Sequence, residues 1–448
     1  MGIFDALTTA VSGLQSQSFA LQNISGNIAN SQTVGYKETD TAFDALVSAA
    51  ALGEQTAGGV FATSVATNGV QGTIQNETVP TDMAINGNGY FVVTQSTGTS
   101  ATSPQFSGVN DYTRRGDFQM DSSGYLVNGA GYYLMGIPLN PATGAPATSS
   151  PTVLQFGNSF LPAQATTSMT YAANLPSAPG TGVLNTSSYN GTDPLDASSG
   201  GQGTVEGQDA ATFENQSLDG GSVTAYDSLG NPVNVQFRWA ETASSGGNTS
   251  WQLFYQTSNA TTGTTVAWQN AGTTFTFNSS GVLTSPTTGN LTLSNLTVNG
   301  DNVGNVTFNF GSNLTQFASS SGAVNVNGLT QNGFAAGSLQ SLSVANGQIV
   351  GSFSNGQTIP LANITLATFN GQDSLQPLQG EAYAQTPESG NPNFNGTGQV
   401  VGSSLEASNV DIATQFSQLI VAQQAYSANA RVMTTADQMI QSLLTVIQ

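Results

Sequence analysis

Proton transfer, nucleophilic attack and metal binding need particular side chains, and this 448-residue chain has few of them. It has no histidine and no cysteine, and sets five basic residues against 25 acids. Without histidine, Ser-His-Asp triads, Cys-His pairs and His-ligated zinc are excluded. Without cysteine there is no disulfide and no thiolate chemistry, which leaves the redox compartment open. Carboxylate chemistry remains: paired acids of the glycosidase kind, or calcium sites built from Asp and Asn. Neither comes with its pattern. The acids are scattered through loops as a solvated surface would have them, and no EF-hand loop, tandem GGxGxD repeat, P-loop or dinucleotide fingerprint occurs. "NGNG" at 86–89 lacks the spacing of a phosphate loop and reads as a turn. The expectation is a protein with no catalytic residues, no cofactor and no metal.

The charge balance narrows the partners. A net charge of -20, with only 7% of residues charged, argues against nucleic acid and anionic membrane surfaces, which need clustered Lys and Arg. The 52 glycines, with abundant Ser, Thr, Asn and Gln, suggest a polar, β-rich exterior, and 38% hydrophobic residues in patterned runs weigh against disorder. Lys37, the single lysine, is the first basic residue and lies beyond any secretory h-region. No apolar run is long enough to cross a bilayer, so membrane insertion is not expected. A cytoplasmic start with an extracellular-looking body points to an export route that leaves its cargo uncleaved.

Two helical stripes occupy the ends. Leu7, Val11, Leu14, Leu21 and Ile28 follow a 7-4-3 spacing, broadened by Ile3, Phe4 and Ile24, until Gly26, Asn27, Asn30 and Gly35 offer capping and turn residues. At the other end Ile412, Phe416, Leu419, Gln423, Tyr426, Ala430, Met433, Ile440, Leu444 and Ile447 hold a 3-4 spacing, with Ser408 or Asn409 as N-cap and Asp411 at the positive end of the dipole. Neither stripe can be buried by itself. The pattern suggests coiled-coil helices standing apart from the globule, ordered only when copies assemble.

Between them the reading is β. Tyr90–Thr94 gives a strand, and "YTRRGDFQMDSSGYLVNGAGYYLMG" gives short strands parted by Asp-Ser-Ser-Gly and Asn-Gly turns. In "SVTAYDSLGNPVNVQFRW", Val233, Val235, Phe237 and Trp239 alternate with Asn234, Gln236 and Arg238 after a Gly-Asn-Pro turn, the clearest hairpin in the chain. The fold class expected is α+β and multidomain. Terminal helices at 1–32 and 408–448 form a coiled-coil domain, 33–75 and 378–407 an extended connector, 76–150 and 326–377 an inner β domain, and 151–325 an outer β domain.

"NIANSQTVGYK" (27–37) resembles the signature of bacterial flagellar rod and hook axial proteins, an Asn-Ile-Ala-Asn turn followed by Thr-x-Gly-Phe/Tyr-Lys. "LEASNVDIATQFSQLIVAQQAYSANARVM" is similar to the same family's C-terminal block. "INGNGYFVV" and the "YTRRGDF" run are shared across it, and "AYDSLGNPVNVQFRW" and "GSFSNGQTIPLANITLATF" are nearer to its hook members. Tyr36 stands where Phe is usual and Gln424 where Arg is frequent, and 176–204 and 256–330 match nothing in the pattern.

The resemblance implies a homopolymer. Terminal helices would pack with those of neighbouring copies into the wall of a hollow tube, through Leu7, Val11, Leu14, Leu21, Ile28, Ile412, Phe416, Leu419, Tyr426, Met433, Ile440 and Leu444. Asn27 and Asn30 would sit at the turn where the chain leaves that wall. Lys37, just past it, is either an inter-subunit contact to an acid or a solvated lysine. Implied partners are the distal rod protein, the hook cap, the hook-filament junction proteins and the flagellar type III export apparatus. The implied role is a bendable tube that carries torque from rod to filament. The distal rod protein of the same family is the alternative, although typically much shorter, and a secreted polysaccharide-active β protein leaves the terminal heptads unexplained.

Overall fold

Asn, Gly and Ser residues end the first helix. Helix α1 (Ile3–Ala29) runs without proline to its end, where Asn30 Nδ2 joins the Asn30 amide (3.1 Å) in donating to the Gly26 carbonyl (3.0 Å), and Ser31 Oγ donates to the Ile28 carbonyl (2.9 Å), which a further turn would have bonded. Gly35 then takes φ 71°, which turns the chain. The computed structural model describes residues 3–45, 59–100, 103–141, 143–157, 159–195, 203–394, 396 and 398–447. They divide into two units, Met1–Ser159 with Leu339–Ser352 and Thr358–Gln448, and Phe160–Ser338 with Phe353–Gln357.

In the first unit the chain ends come together. Strands β1 (Thr39–Ala45) and β2 (Val60–Ala66) form an antiparallel hairpin that lies back on α1, where Asn23 Nδ2 donates to Thr41 Oγ1 (2.9 Å) and Ser64 Oγ (3.1 Å). Thr and Ala at alternate positions let this hairpin approach the helix. It occupies much of a segment expected to be an extended connector. Strand β3 (Ile74–Asn76) pairs with Ser404–Glu406, and β4 (Met83–Asn86) with Gln399–Gly402, so the incoming and outgoing chains run antiparallel beside each other. Strand β5 (Tyr90–Ser100) pairs with Asp111–Thr113, Tyr132–Pro138 and Leu366–Ala367 over a core of Tyr90, Val92, Tyr112, Phe369, Leu375 and Tyr383.

The second unit holds two sheets. One runs through Thr204–Glu206, Val266–Phe277, Asn248–Gln256, Pro232–Ser245 and Leu218–Tyr226. The other is built on Ser168–Pro176, which pairs in parallel with Asp301–Asn309 and Leu314–Phe317 and antiparallel with Asn325–Gln331. Val233, Val235, Phe237 and Trp239 all point into the shared core while Asn234 and Gln236 face solvent, as the alternation predicts. Tyr171 and Trp239 carry their polar atoms in without loss, because Trp239 Nε1 donates to Tyr171 Oη (2.9 Å), which donates to the Gly220 carbonyl (2.9 Å). A short helix α2 (Ala210–Gln216) adds Phe213 against Phe254 and Trp268.

The C-terminal helix α3 (Ile412–Ile447) has 36 residues, about 54 Å at 1.5 Å per residue. Its cap is Asp411, whose Oδ1 accepts from the Thr414 amide (3.0 Å), and not Ser408 or Asn409. The Asn409 side chain is unavailable because it accepts from the Glu38 amide (2.7 Å).

The two terminal stripes do have a partner within one chain, namely each other. Asn27 meets Gln415 and Gly13 meets Asn429, so α1 and α3 run antiparallel. The buried line on α1 is Ala10, Gly13, Ser16, Ala20, Ile24 and Asn27, and on α3 it includes Gln415, Ala422 and Ala436. Small side chains let the helix axes come close, and the expected leucine stripe lies to one side of that line.

Candidate assembly surface and the root of the helices

The turn after α1 is closed by side chains. The Asn27 amide acts as a peptide group would, its Nδ2 donating to the Thr39 carbonyl (3.0 Å) and its Oδ1 accepting from the Thr39 amide (3.0 Å). Tyr36 Oη also donates to Asn27 Oδ1 (3.1 Å), and Asn27 Nδ2 donates to Gln415 Oε1 (3.2 Å). Gln415 Nε2 reaches on to Glu38 Oε1 (2.5 Å). Asn30 Oδ1 accepts from Thr33 Oγ1 (3.2 Å). Asn27 and Asn30 therefore spend their polar atoms inside the chain that carries them.

Lys37 fits neither expectation. It is buried, and its Nζ donates to Glu406 Oε1 (2.5 Å) and to the Val70 carbonyl (2.6 Å). The acid belongs to its own chain, so Lys37 is neither solvated nor offered to a neighbour. Glu406, 0% exposed, also accepts from the Gly72 amide (2.9 Å) and, through Oε2, from Arg114 Nη1 (3.2 Å). Arg114 Nη2 donates to the Gly87 carbonyl (2.9 Å), and its guanidinium lies 5.3 Å from the Tyr90 ring centre. Burial lowers the pKa of the Lys37 ammonium, and the Glu406 charge and hydrogen bond oppose that shift. Removing the carboxylate would leave two desolvated cations, a cost of about 3–5 kcal/mol.

Sequence reasoning missed Arg114, Glu406, Asn409 and Gln415 as members of this junction. The signal was there: in a chain so poor in charge, each quoted terminal block carries an unexplained ion. Apart from Arg114 Nε, which is buried without a hydrogen-bond partner, the polar groups named here are bound within the chain, so the arrangement suits holding segments together. Among the described residues no group of three or more acids could hold a metal.

Along the helices the outward side chains are large. Ile412, Phe416, Tyr426 and Met433 of the expected seam are exposed, with Ile420, Val421 and Met439 beside them. Leu419 and Ile440 are half-buried, as are Leu7, Val11, Leu14, Leu21 and Ile28 on the other helix. The side chain of Leu444 lies outside the described residues. A groove of about 400 Å³ between α1, α3 and β1 is lined by Ala20, Ile24, Phe43, Val421, Ala422 and Ala425 among others.

Four family models match, in chain order: "Flagella basal body rod protein" over 7–37, "Flagellar hook protein FlgE/F/G D1 domain" over 84–168, "Flagellar basal body protein FlaE D2 domain" over 194–334, and "Flagellar basal body rod FlgEFG protein C-terminal" over 401–446. The flagellar hook protein FlgE of Brucella abortus is 30% identical over 453 residues, covering 99% of this chain and 99% of its own. This chain belongs to the flagellar hook protein family. The FlgE hook protein of Salmonella typhimurium is likewise 30% identical, over 98% of this chain and 99% of its own. The solved flagellar hook protein FlgE2 of Helicobacter pylori is 16% identical with a TM-score of 0.47, covering 74% of this chain and 100% of its own. Hook proteins are structural parts of the bacterial flagellum, and this family member is a structural protein of that organelle. The third match falls within the second unit, and the two terminal matches carry Lys37 and Glu406.

Proposed function

We infer that this hook-family chain polymerises into a hollow, bendable helical tube that transmits torque from rod to filament as a universal joint. The observation that carries the reading is the inversion along α3, where small residues face α1 and Phe416, Ile420, Val421 and Met433 face out. A monomer gains nothing from that arrangement. Exposed apolar surface of this extent is stabilised when a second copy covers it, at about 25 cal/mol per Å². In the tube the α1–α3 pair would form a coiled-coil wall with its neighbours, using the outward residues named above.

The same reading supplies the domain plan and the partners. Residues 1–32 and 408–448 would be the wall, 33–75 and 378–407 the connection, 76–150 and 326–377 the inner β layer and 151–325 the outer one. The distal rod protein, the hook cap and the hook-filament junction proteins would meet the tube along its axis. Export would run through the flagellar type III apparatus without cleavage. Similarity over nearly the whole length of hook relatives supports hook over distal rod. Negative-stain microscopy of purified protein tests the reading. Curved hollow tubes are expected, whereas straight rods or no polymer at all would overturn it.

A further inference from the structure

We propose that Glu406 is the positioning residue of the subunit: its carboxylate, gripped by Lys37 and Arg114, fixes the paired helices to the β framework so that their root turns as one piece. This rests on the hook reading and adds to it a place where the subunit does not bend.

Three observations carry it. The first is placement, because Lys37 lies eight residues past the end of α1 and Glu406 six before the start of α3, so the ion cluster sits at the base of both helices. Arg114 belongs to the β framework, bound to the carbonyls of Ile85 (3.4 Å) and Gly87 (2.9 Å) next to β4 and β5. The second is dryness. Lys37 and Arg114 are 1% exposed at their side chains and Glu406 0%, so water cannot substitute for the missing charge if the cluster opens. The third is the absence of slack. The Gly35 amide donates to the Glu406 carbonyl (2.8 Å), the Ala407 amide to the Thr73 carbonyl (2.9 Å) and the Glu38 amide to Asn409 (2.7 Å), and a Cβ on Gly72 would collide with the Ala407 carbonyl. A flexible linker has a solvated backbone and room around it. This root has neither.

The experiment uses the full-length chain. Glu406→Gln keeps the side chain's shape and leaves both cations unpaired. The amides of Gly35, Gly72 and Ala407 are expected to exchange hydrogen at least ~100-fold faster than in wild type, with Val235 and Phe237 of the second unit unchanged. Tubes built from the variant should show a wider spread of curvature. Because the chain has no cysteine, a disulfide can replace the ionic tie. Asn76 and Ser404 face each other across a strand pair, beside the Glu77 amide to Ser403 carbonyl bond (2.8 Å), in the position that suits a cross-strand bridge.

Oxidised Asn76→Cys/Ser404→Cys in the Glu406→Gln background should return both exchange and curvature toward wild type, and the reduced form should not. A role confined to solvating charge would not be rescued by that bridge. Should Glu406→Gln leave its first unit unfolded, Arg114→Lys, which keeps the charge and loses the fork, should give intermediate exchange at the same amides. Unchanged exchange in both variants, or a disulfide that restores exchange while curvature stays broad, overturns the proposal. If wild-type protein forms no tubes the hook reading fails, and the exchange measurements alone then decide whether Glu406 is the tie.

Discussion

In the second unit the large rings are inside: Tyr171, Phe237 and Trp239 are 0% exposed, with Tyr171 tilted against Trp239 and Phe237 against Phe308 in the core between two sheets. Along α3 the large side chains are outside, Phe416 at 50% and Val421 at 65% exposed, while alanines line the contact with α1. Each region follows the same rule of burying apolar area, but only the middle of the chain can satisfy it alone. The ends have the surface of a half-made core. A hook-family subunit is thus complete where it needs only to keep its shape, and incomplete where it must find another copy.

Substitutions that weigh the two regions against each other can break this contrast. Trp239→Ala should show the largest effect, lowering the stability of the second unit by about 3–5 kcal/mol in chemical denaturation. A loss below about 1 kcal/mol would mean that this core is not self-sufficient. Gly13→Leu should come next. A Cβ on Gly13 would already lie 2.8 Å from Asn429 Nδ2, so a larger side chain forces the helices apart. About 2 kcal/mol should be lost from the helix pair, seen as faster exchange at Ala20 and Ile24 with the second unit's melting unmoved.

Asp82 sharpens the comparison within the first unit. Burial, helped by the charges of Asp117 and Glu77, pushes its carboxyl up to about 6, and its Oδ1 has no hydrogen-bond partner among the described residues. The folded value lies above the ~3.9 of an unfolded chain, so the ionised form costs stability above about pH 6, and that cost fades as pH falls toward 4. Asp82→Asn should therefore stabilise the first unit by about 1–2 kcal/mol at pH 8 and by almost nothing at pH 4. Equal gains at both values would assign the effect to something other than the charge. Phe416→Asp should move the monomer least, by under about 0.5 kcal/mol, because the residue is exposed. The same change should prevent tubes in microscopy, and tubes of normal appearance would show that Phe416 is not covered in the polymer.

The sequence was most legible where periodicity and burial agree, as at Val233 to Trp239, where a period of two can serve only a strand with one face inside. Both terminal helices were also readable, but their contact line was not. Spacing rules favour large apolar residues and so pick out Phe416, Tyr426 and Met433, which lie on the outward face, whereas close packing of the two helices within one chain selects Gly13, Ala20, Ala422 and Asn429. Lys37 was misread for a different reason. Its partner stands 369 positions away in sequence, and pairing over that distance leaves no local trace. The hairpin of β1 and β2 was hidden by its Thr- and Ala-rich strands, which carry little alternation to detect.

Four of the five basic residues are turned inward or paired. Lys37 and Arg114 hold Glu406, Arg115 holds Asp117 (2.9 Å) and Glu381 (3.1 Å), and Arg238 donates to Ser217 Oγ (2.7 Å) and the Glu214 carbonyl (2.8 Å), leaving Arg431 as the exposed one. The outside of a molecule with net charge -20 is then almost purely anionic, and copies brought side by side repel. That repulsion reaches about 10 Å in 0.1 M salt and about 3 Å in 1 M. Ionic strength therefore sets how closely subunits can approach before their apolar faces meet, and the rate of tube growth should rise with it.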